Sequence, residues 1–341
     1  MHFIQSLKSI KYAIVFVCIA FPWNATAINH GSLTDQLLGK KLGRNLVESL
    51  LIQSLIEVSE GKTKQAFATV NDLIRTVPNF KLAYLIRGDL LTSQGHALTG
   101  FGDSNAADAH VTPSSEKIAG LRDEARTRIE YYLSDKKSSQ RPNILVKFSS
   151  EQNNIIVVDT TKSRLDLYKK VDGALQYVSD HYVTVGKEAQ GDKRTPIGVY
   201  FAGAKLTHPL ADMYGDAAFP LNYPNEIDLH QNKNGSGIWL HGTPSGTYNR
   251  PPRASDGCVV LSNPDLKALE PILRTGKTPV MIADKLEWLS SDKSSKQLRT
   301  NEANQEALQK SIEEWRHDWA LQDTDQYLSH YSKKFFIAMA V

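Results

Sequence analysis

Gly237-Ile238-Trp239-Leu240-His241-Gly242-Thr243, then a loop rich in Gly, Pro and Arg, then Ser255-Asp256-Gly257-Cys258, is the stretch on which the reading of this chain turns. An apolar run delivers His241, 13 residues (Thr243 to Ser255) separate Gly242 from Asp256, and a glycine precedes the thiol. Cysteine catalysis needs a thiolate, and a nearby imidazole both lowers the thiol pKa and moves protons during acyl transfer. Gly257 lets the backbone turn tightly, so that main-chain N–H groups can point at a developing oxyanion. The residue types therefore point to a Cys–His acyl-transfer site. The alternative is an inert cysteine on a strand beside a core histidine. A zinc site made of His230, His241 and Cys258 lacks the usual close-spaced ligand pairs.

Around this stretch lie 341 residues, enough for two or three domains. Forty Lys and Arg against 37 Asp and Glu give a net charge of +3, too balanced for a protein that holds nucleic acid by phosphate charge. An apolar content of 41% with 23% charged residues fits a globular chain. Only two cysteines, Cys18 and Cys258, are present, which excludes a dense disulfide framework.

The first 27 residues carry Lys8 and Lys11, an uncharged run from Tyr12 to Pro22, and Ala25-Thr26-Ala27. A basic flank, a short apolar core and an A-x-A site are the marks of a secretory signal, and the run is short for a membrane span. Val17 before Cys18 argues against a lipoprotein signal; an uncleaved anchor, the only membrane association foreseen, is the alternative. Removal of residues 1–27 deletes two lysines, leaving 38 bases against 37 acids, or +1, and deletes Cys18. An exported, periplasmic protein would then keep a single thiol, Cys258, in an oxidising space where thiols are normally paired or absent.

Residues 32–133 read as a helical module, with apolar residues at three- and four-residue spacing (Leu46, Val47, Leu50, Leu51, Leu55, Ile56, then Ala66, Phe67, Val70, Leu73, Ile74). Pro78, Ala83, Tyr84 and Gly88 resemble a tetratricopeptide junction, with an ordinary helical bundle as the alternative. With no catalytic constellation in it, this part reads as a docking or spacing module for a protein partner. A polar linker is expected over 134–142. The period then changes to strand type. A hairpin is expected from Ile155–Val158 and Arg164–Tyr168, with further strands at Tyr182–Val185, Gly198–Phe201, Gly237–Leu240, Val259–Leu261 and Pro279–Ile282. Pro264–Leu273 is expected to be helical. Many short strands separated by Gly and Pro suggest a mostly β sandwich or barrel over 143–285. A second polar linker over 290–304 precedes an amphipathic segment, Glu306–Tyr331, with Leu308, Ile312, Trp315, Trp319 and Tyr327 near one face; the whole tail, 305–341, ends in an apolar run.

Residues 150–285 resemble the L,D-transpeptidase catalytic domain of the YkuD type. Its hallmark is a His-Gly or His-Ser, about 15 residues, then Ser/Thr-His-Gly-Cys. His241 matches the first element; Ser255, Gly257 and Cys258 match the second. Thr195-Pro196-Ile197-Gly198-Val199-Tyr200 and Phe219-Pro220-Leu221-Asn222-Tyr223-Pro224-Asn225 resemble two upstream family segments. The resemblance implies an α+β multidomain protein acting on peptidoglycan stem peptides, with no metal or organic cofactor. It assigns Cys258 as nucleophile, His241 as general base, the Gly242 carbonyl as the group orienting the imidazole, and amides at Gly257 and Cys258 as the oxyanion hole. Ser255, Asp256, Arg253 and Trp239 complete the expected oxyanion and substrate surroundings.

Two positions depart from the family pattern. Asp256 stands where most members carry a second His, and Val260 where many carry an Arg. An unpaired anion beside the thiol would raise its pKa; Arg253 or Arg250 is the expected counter-charge. Divergent members with a non-His residue there include enzymes that cut peptidoglycan-linked amides. The expected activity is therefore an L,D-transpeptidase, with a hydrolase of the same fold or a catalytically idle peptidoglycan-binding scaffold as alternatives. The Glu306–Tyr331 segment resembles the opening helix of a nuclear-transport-factor-two-like (SnoaL-like) cone domain, which implies a short C-terminal helical segment beginning a truncated domain.

Overall fold

The computed structural model describes residues 46–95, 100–102, 113–134, 140–145, 149, 151–172, 174–187, 193–289 and 296–332. The expected signal segment 1–27 lies outside them, as does much of both expected linkers. Among the described residues, no helix is long and apolar enough to cross a membrane.

Four helices open the described chain: α1 (Leu46–Ser59), α2 (Thr63–Thr76), α3 (Lys81–Thr92) and α4 (Pro113–Leu133). Ala66, Thr69, Val70 and Leu73 repeat at helical spacing and form the buried face of α2. Val77 then leaves the helical region, as expected before Pro78, and α3 returns with Leu82, Ala83, Ile86 and Leu90 buried. These faces pack with Leu51 and Ala125 into one apolar cluster. Fully burying a side chain of Leu or Val size contributes about 1.5–3 kcal/mol.

The catalytic segment is a two-sheet core. The larger sheet has the order β4-β3-β2-β9-β5, built from β2 (Asn154–Asp159), β3 (Arg164–Val171), β4 (Ala174–Tyr182), β5 (Gly198–Phe201) and β9 (Pro279–Ala283). Ile155 to Val158 are all fully buried, which is why β2 reads as a continuous apolar run instead of an alternation. The smaller sheet, order β6-β7-β8, holds β6 (Ala218–Pro220), β7 (Trp239–His241) and β8 (Val259–Val260). Bridges at Thr184–Val260 and Ala202–Leu221 connect segments flanking the two sheets. Side chains from both sheets, including Ile156, Leu165, Val280, Phe219, Leu240 and Val259, form one core with Leu266 and Leu269 of α6 (Asn263–Leu269). A short helix, α5 (Glu226–His230), lies between β6 and β7. The architecture is α+β, with a helical N-terminal part and a mostly β catalytic segment.

Several expected boundaries move. The strand expected at Tyr182–Val185 instead ends at Tyr182 and begins at Ala174; of its residues only Tyr182 is buried, so burial marks only its end. Residues 141–142, expected as linker, form β1 and pair with β10 (Trp288–Leu289). The expected linker 290–304 already contains the start of α7 (Lys296–Leu321), because Lys296 to Asn304 has no Gly or Pro to stop a helix. The continuous helix expected over Glu306–Tyr331 is broken at Gln322, which has φ 57°. Asp323 then caps α8 (Thr324–Ser329) by accepting from the Gln326 amide at 3.1 Å. Trp315 donates to the Tyr331 hydroxyl at 3.0 Å, while Leu308, Ile312 and Trp319 are exposed.

Helices α1–α4 and residues Gln152–Asp284 form one compact unit, and β1, β10, α7 and α8 belong to a second. The helical module and the catalytic core thus fall within the same compact unit.

Candidate active site

Strand pairing sets the geometry. In the parallel pair β7–β8, His241 lies opposite Val260 and Leu240 opposite Val259. Cys258 immediately precedes β8, at the end of the turn that leads into the strand. Extending that register by one dyad puts Trp239 opposite Cys258, and the Trp239 main-chain N–H is directed at the sulfur. The β7 strand that carries His241 therefore also meets the sulfur of Cys258, 17 residues further along the chain.

His241 is 2% exposed and its Nδ1 lies 2.7 Å from the Gly242 carbonyl oxygen. A carbonyl only accepts, so Nδ1 carries the proton and Nε2 is left as the acceptor. Burial pulls the imidazole pKa down to about 4; the Arg250 cation adds to this, while the main-chain contacts with Gly242 and Tyr214 oppose it. His241 is neutral across the physiological range. The Tyr214 ring packs edge-on against the imidazole with centroids 5.2 Å apart and also contacts Trp239.

Behind the histidine, Asn263 clamps the main chain. Its Oδ1 accepts from the amides of Asp216 (3.2 Å) and Thr243 (3.1 Å), and its Nδ2 donates to the Thr243 carbonyl at 2.9 Å. A methyl group on Gly242 would sit 1.9 Å from Asn263 Oδ1, so only glycine fits between the clamp and the base.

The thiol sits on a tight turn. Gly257 has φ 112°, in the region that favours glycine, and a Cβ there would lie 2.8 Å from Ile238 Cδ1. Ser255 Oγ donates to the Cys258 carbonyl at 2.6 Å and accepts from the Gly257 amide at 3.3 Å. Ser255 is thus the brace of this turn. The Gly257 amide, expected to face an oxyanion, is engaged by that hydroxyl. The bridge between Gly186 and Ser255 and the Gly186 amide's bond to Thr195 Oγ1 (2.8 Å) carry the brace into the Thr195–Tyr200 segment.

Burial pushes the Cys258 thiol pKa up; the Trp239 N–H and the Arg250 cation oppose the shift, and Asp256 adds to it. The sulfur also lies 3.3 Å from the Gly237 carbonyl oxygen, which accepts from the thiol. At rest the site therefore holds a protonated thiol and a neutral imidazole.

The expected counter-charges are rearranged. Asp256 is an exposed rim residue paired with Lys193 at 3.0 Å, not with Arg253 or Arg250. Arg253 turns instead to Asp123 of α4 at 3.3 Å, because that carboxylate is presented by the packed helix. Arg250 donates to the Met213 carbonyl at 2.6 Å, and its charge is felt at both His241 and Cys258. Tyr214 and Asn263 carry no local signature, although Ser262-Asn263-Pro264 reads as a helix start. The structure thus groups Cys258, His241, Gly242, Gly257, Ser255 and Trp239, leaves Asp256 at the rim, and directs Arg253 elsewhere.

These features predict a specific pH behaviour. A raised thiol pKa means fewer thiolates near pH 7, so alkylation of Cys258 by iodoacetamide will be slower than that of a free cysteine peptide. The rate will still be climbing above pH 9, the ordinary thiol value. Asp256→Asn will speed the reaction near pH 7 by about two- to threefold, and Arg250→Gln will slow it comparably. Peptide mapping of the adduct at Cys258 across pH measures both.

Fold and site together define an α+β domain that holds a cysteine and a neutral histidine at a small parallel strand pair. Residues 153–282 match the model of the L,D-transpeptidase catalytic domain, YkuD. Through this domain the chain belongs to the YkuD L,D-transpeptidase family, whose substrates are peptidoglycan peptides. Residues 307–340 match the model of the Cds6 C-terminal NTF2-like domain. Among solved structures, Bd1075 of Bdellovibrio bacteriovorus is similar, with 30% identity, 57% of this chain and 69% of that chain covered, and a TM-score of 0.48. The helical cell shape determining protein Pgp2 of Campylobacter jejuni shows 27% identity over 59% of this chain and 66% of its own, with a TM-score of 0.44. An L,D-transpeptidase (Yku) of Stackebrandtia nassauensis shows 19% identity over 48% and 66%, with a TM-score of 0.31. No curated protein matches the chain.

Proposed function

We propose that this protein is an exported, periplasmic cysteine L,D-transpeptidase that remodels peptidoglycan through a thioester on Cys258. The observation that carries the reading is that β7 holds His241, with Nδ1 on the Gly242 carbonyl, while the Trp239 N–H two residues earlier on the same strand meets the Cys258 sulfur. His241 Nε2 removes the thiol proton as sulfur attacks the carbonyl carbon of an L-centre in a stem peptide. The Cys258 amide faces the oxyanion, and Trp239 N–H steadies the sulfur. Collapse of the tetrahedral species breaks the amide bond, and His241 returns its proton to the departing D-residue amine. An acceptor amine then attacks the thioester, gives its extra proton to His241 and expels the thiolate, which is reprotonated. Export is supported by the charge and apolar pattern of residues 1–27.

A second reading is hydrolysis, in which water takes the acceptor's place. It is favoured by Asp256, which stands where most of the family carries a second imidazole. Incubating the full chain with purified sacculi and profiling the muropeptides separates the two. New crosslinks between diaminopimelate residues are expected; shortened stems without new crosslinks would assign the hydrolase, and unchanged muropeptides would remove both.

A further inference from the structure

The loop between base and thiol is long, and a loop held only at its ends samples many conformations. Here it is seated on the helical part along most of its length. Tyr248, from the middle of the loop, is 8% exposed and belongs to the apolar cluster of α1–α4. Its ring packs on Phe80 with centroids 5.0 Å apart, and its amide donates to the Asn79 carbonyl at 3.1 Å. Asn79 Nδ2 in turn donates to the Ser245 carbonyl at 3.0 Å. Further along, the main chain of α4 comes so close to Pro251 that a Cβ on Gly120 would lie 2.7 Å from its Cγ. One turn later Asp123 pairs with Arg253.

The contacts lead on to the base. The Tyr248 carbonyl accepts from Thr243 Oγ1 at 3.1 Å, and Thr243 is 1% exposed. Thr243 follows Gly242, whose carbonyl holds His241 Nδ1. Asn263 fixes this segment from the catalytic side, and Tyr248 fixes it from the helical side.

We propose that the helical module is a working part of the catalytic site, in which Tyr248, seated on Phe80 and Asn79, is a positioning residue that holds the Gly242 carbonyl and so orients His241. This assignment rests on the reading of His241 as the base. The Pro78 junction is then spent on the catalytic loop, where the sequence pattern suggested a surface for docking a partner. Loosening the seat lets the Gly242 carbonyl wander, so that the imidazole loses its single tautomer and the proton transfer loses its geometry.

The test compares full-chain Tyr248→Ala, Tyr248→Phe and the double variant Asn79→Ala/Asp123→Ala. Long-range ¹H–¹⁵N spectra report the His241 tautomer and titration, and turnover of sacculi is measured in parallel. Tyr248→Ala and the double variant are expected to mix the Nδ1–H and Nε2–H tautomers of His241. In both, kcat will fall about ten- to a hundredfold with KM little changed, and Tyr248→Phe, which keeps the ring, will restore spectrum and rate. An unchanged His241 spectrum with kcat within about twofold of wild type, in a folded variant, would overturn the proposal. If Tyr248→Ala does not fold, the double variant, which removes only partly exposed contacts, decides on the same two readouts. If the wild-type chain leaves sacculi untouched, the transpeptidase reading fails separately, and the histidine spectrum still decides this one.

Discussion

Cys258→Ala will leave the chain folded and eliminate covalent acylation, with turnover falling by about a thousandfold or more. The methyl side chain of alanine fits the Cys258 turn, whose Gly257 and Ser255 supports lie in the main chain and a neighbouring hydroxyl. Stability should change little, since the sulfur is half-buried and its contacts with the Gly237 carbonyl and the Trp239 N–H are weak ones. The nucleophile, by contrast, has no substitute, because Ser255 Oγ is committed to the Cys258 carbonyl. Intact-mass analysis after incubation with a carbapenem checks this directly. Wild type should gain one adduct, mapping to Cys258, and the variant none. An adduct on the variant would place the nucleophile elsewhere, and a wild type without any adduct would argue for an idle scaffold.

The largest stability effect is expected at Arg128. Its guanidinium is 1% exposed, pairs with Glu124 at 2.9 Å and with Glu48, and lies over the Tyr182 ring at 3.7 Å. Glu48 also holds Arg164 of β3 at 2.5 Å, so one buried charge network ties α1 and α4 to the large sheet. Removing one member of a buried pair costs about 3–5 kcal/mol because the other charge stays desolvated. Arg128→Ala should therefore destabilise the chain by about that amount, and Arg128→Lys by less.

The loss should depend on pH. Burial lifts the Glu124 pKa to about 7 even with Arg128 beside it, and without that cation it rises further. An acid whose folded pKa is raised binds more protons folded than unfolded, so its penalty is full at high pH and shrinks as pH falls through the folded value. The destabilisation of Arg128→Ala will accordingly be greatest above pH 8 and smaller near pH 6, measured by urea unfolding at each pH. An equal loss at both values would show that Glu124 is not the group left uncompensated.

Much of the site is legible in the residues themselves. A lone thiol behind a glycine, a histidine at the end of an apolar run and two upstream motifs carry information within short windows, where backbone period and side-chain chemistry act locally. The same is true of β2, β5, β9 and the apolar faces of α2 and α3. Asp256 shows where such reading stops. Its neighbours in sequence include two arginines, yet its partner is Lys193, brought near by the Gly186–Ser255 bridge. The edge strand β4 was legible only at its end because Ala174 and Val178 face outward and only Tyr182 is buried, so no apolar face marks the rest.

The sequence by itself determined the residues on which the proposed chemistry rests: the lone thiol after residue 27, the histidine that ends an apolar run, and the glycine before the thiol. Tertiary structure alone decided how that chemistry is held. Asn79 meets Ser245 across 166 residues and Arg253 meets Asp123 across 130. Contacts at such separation follow from how whole elements pack, and the burial of Tyr248 among the helices depends on every face in that cluster at once. No local pattern could name them, and they are what join the helical part to the base.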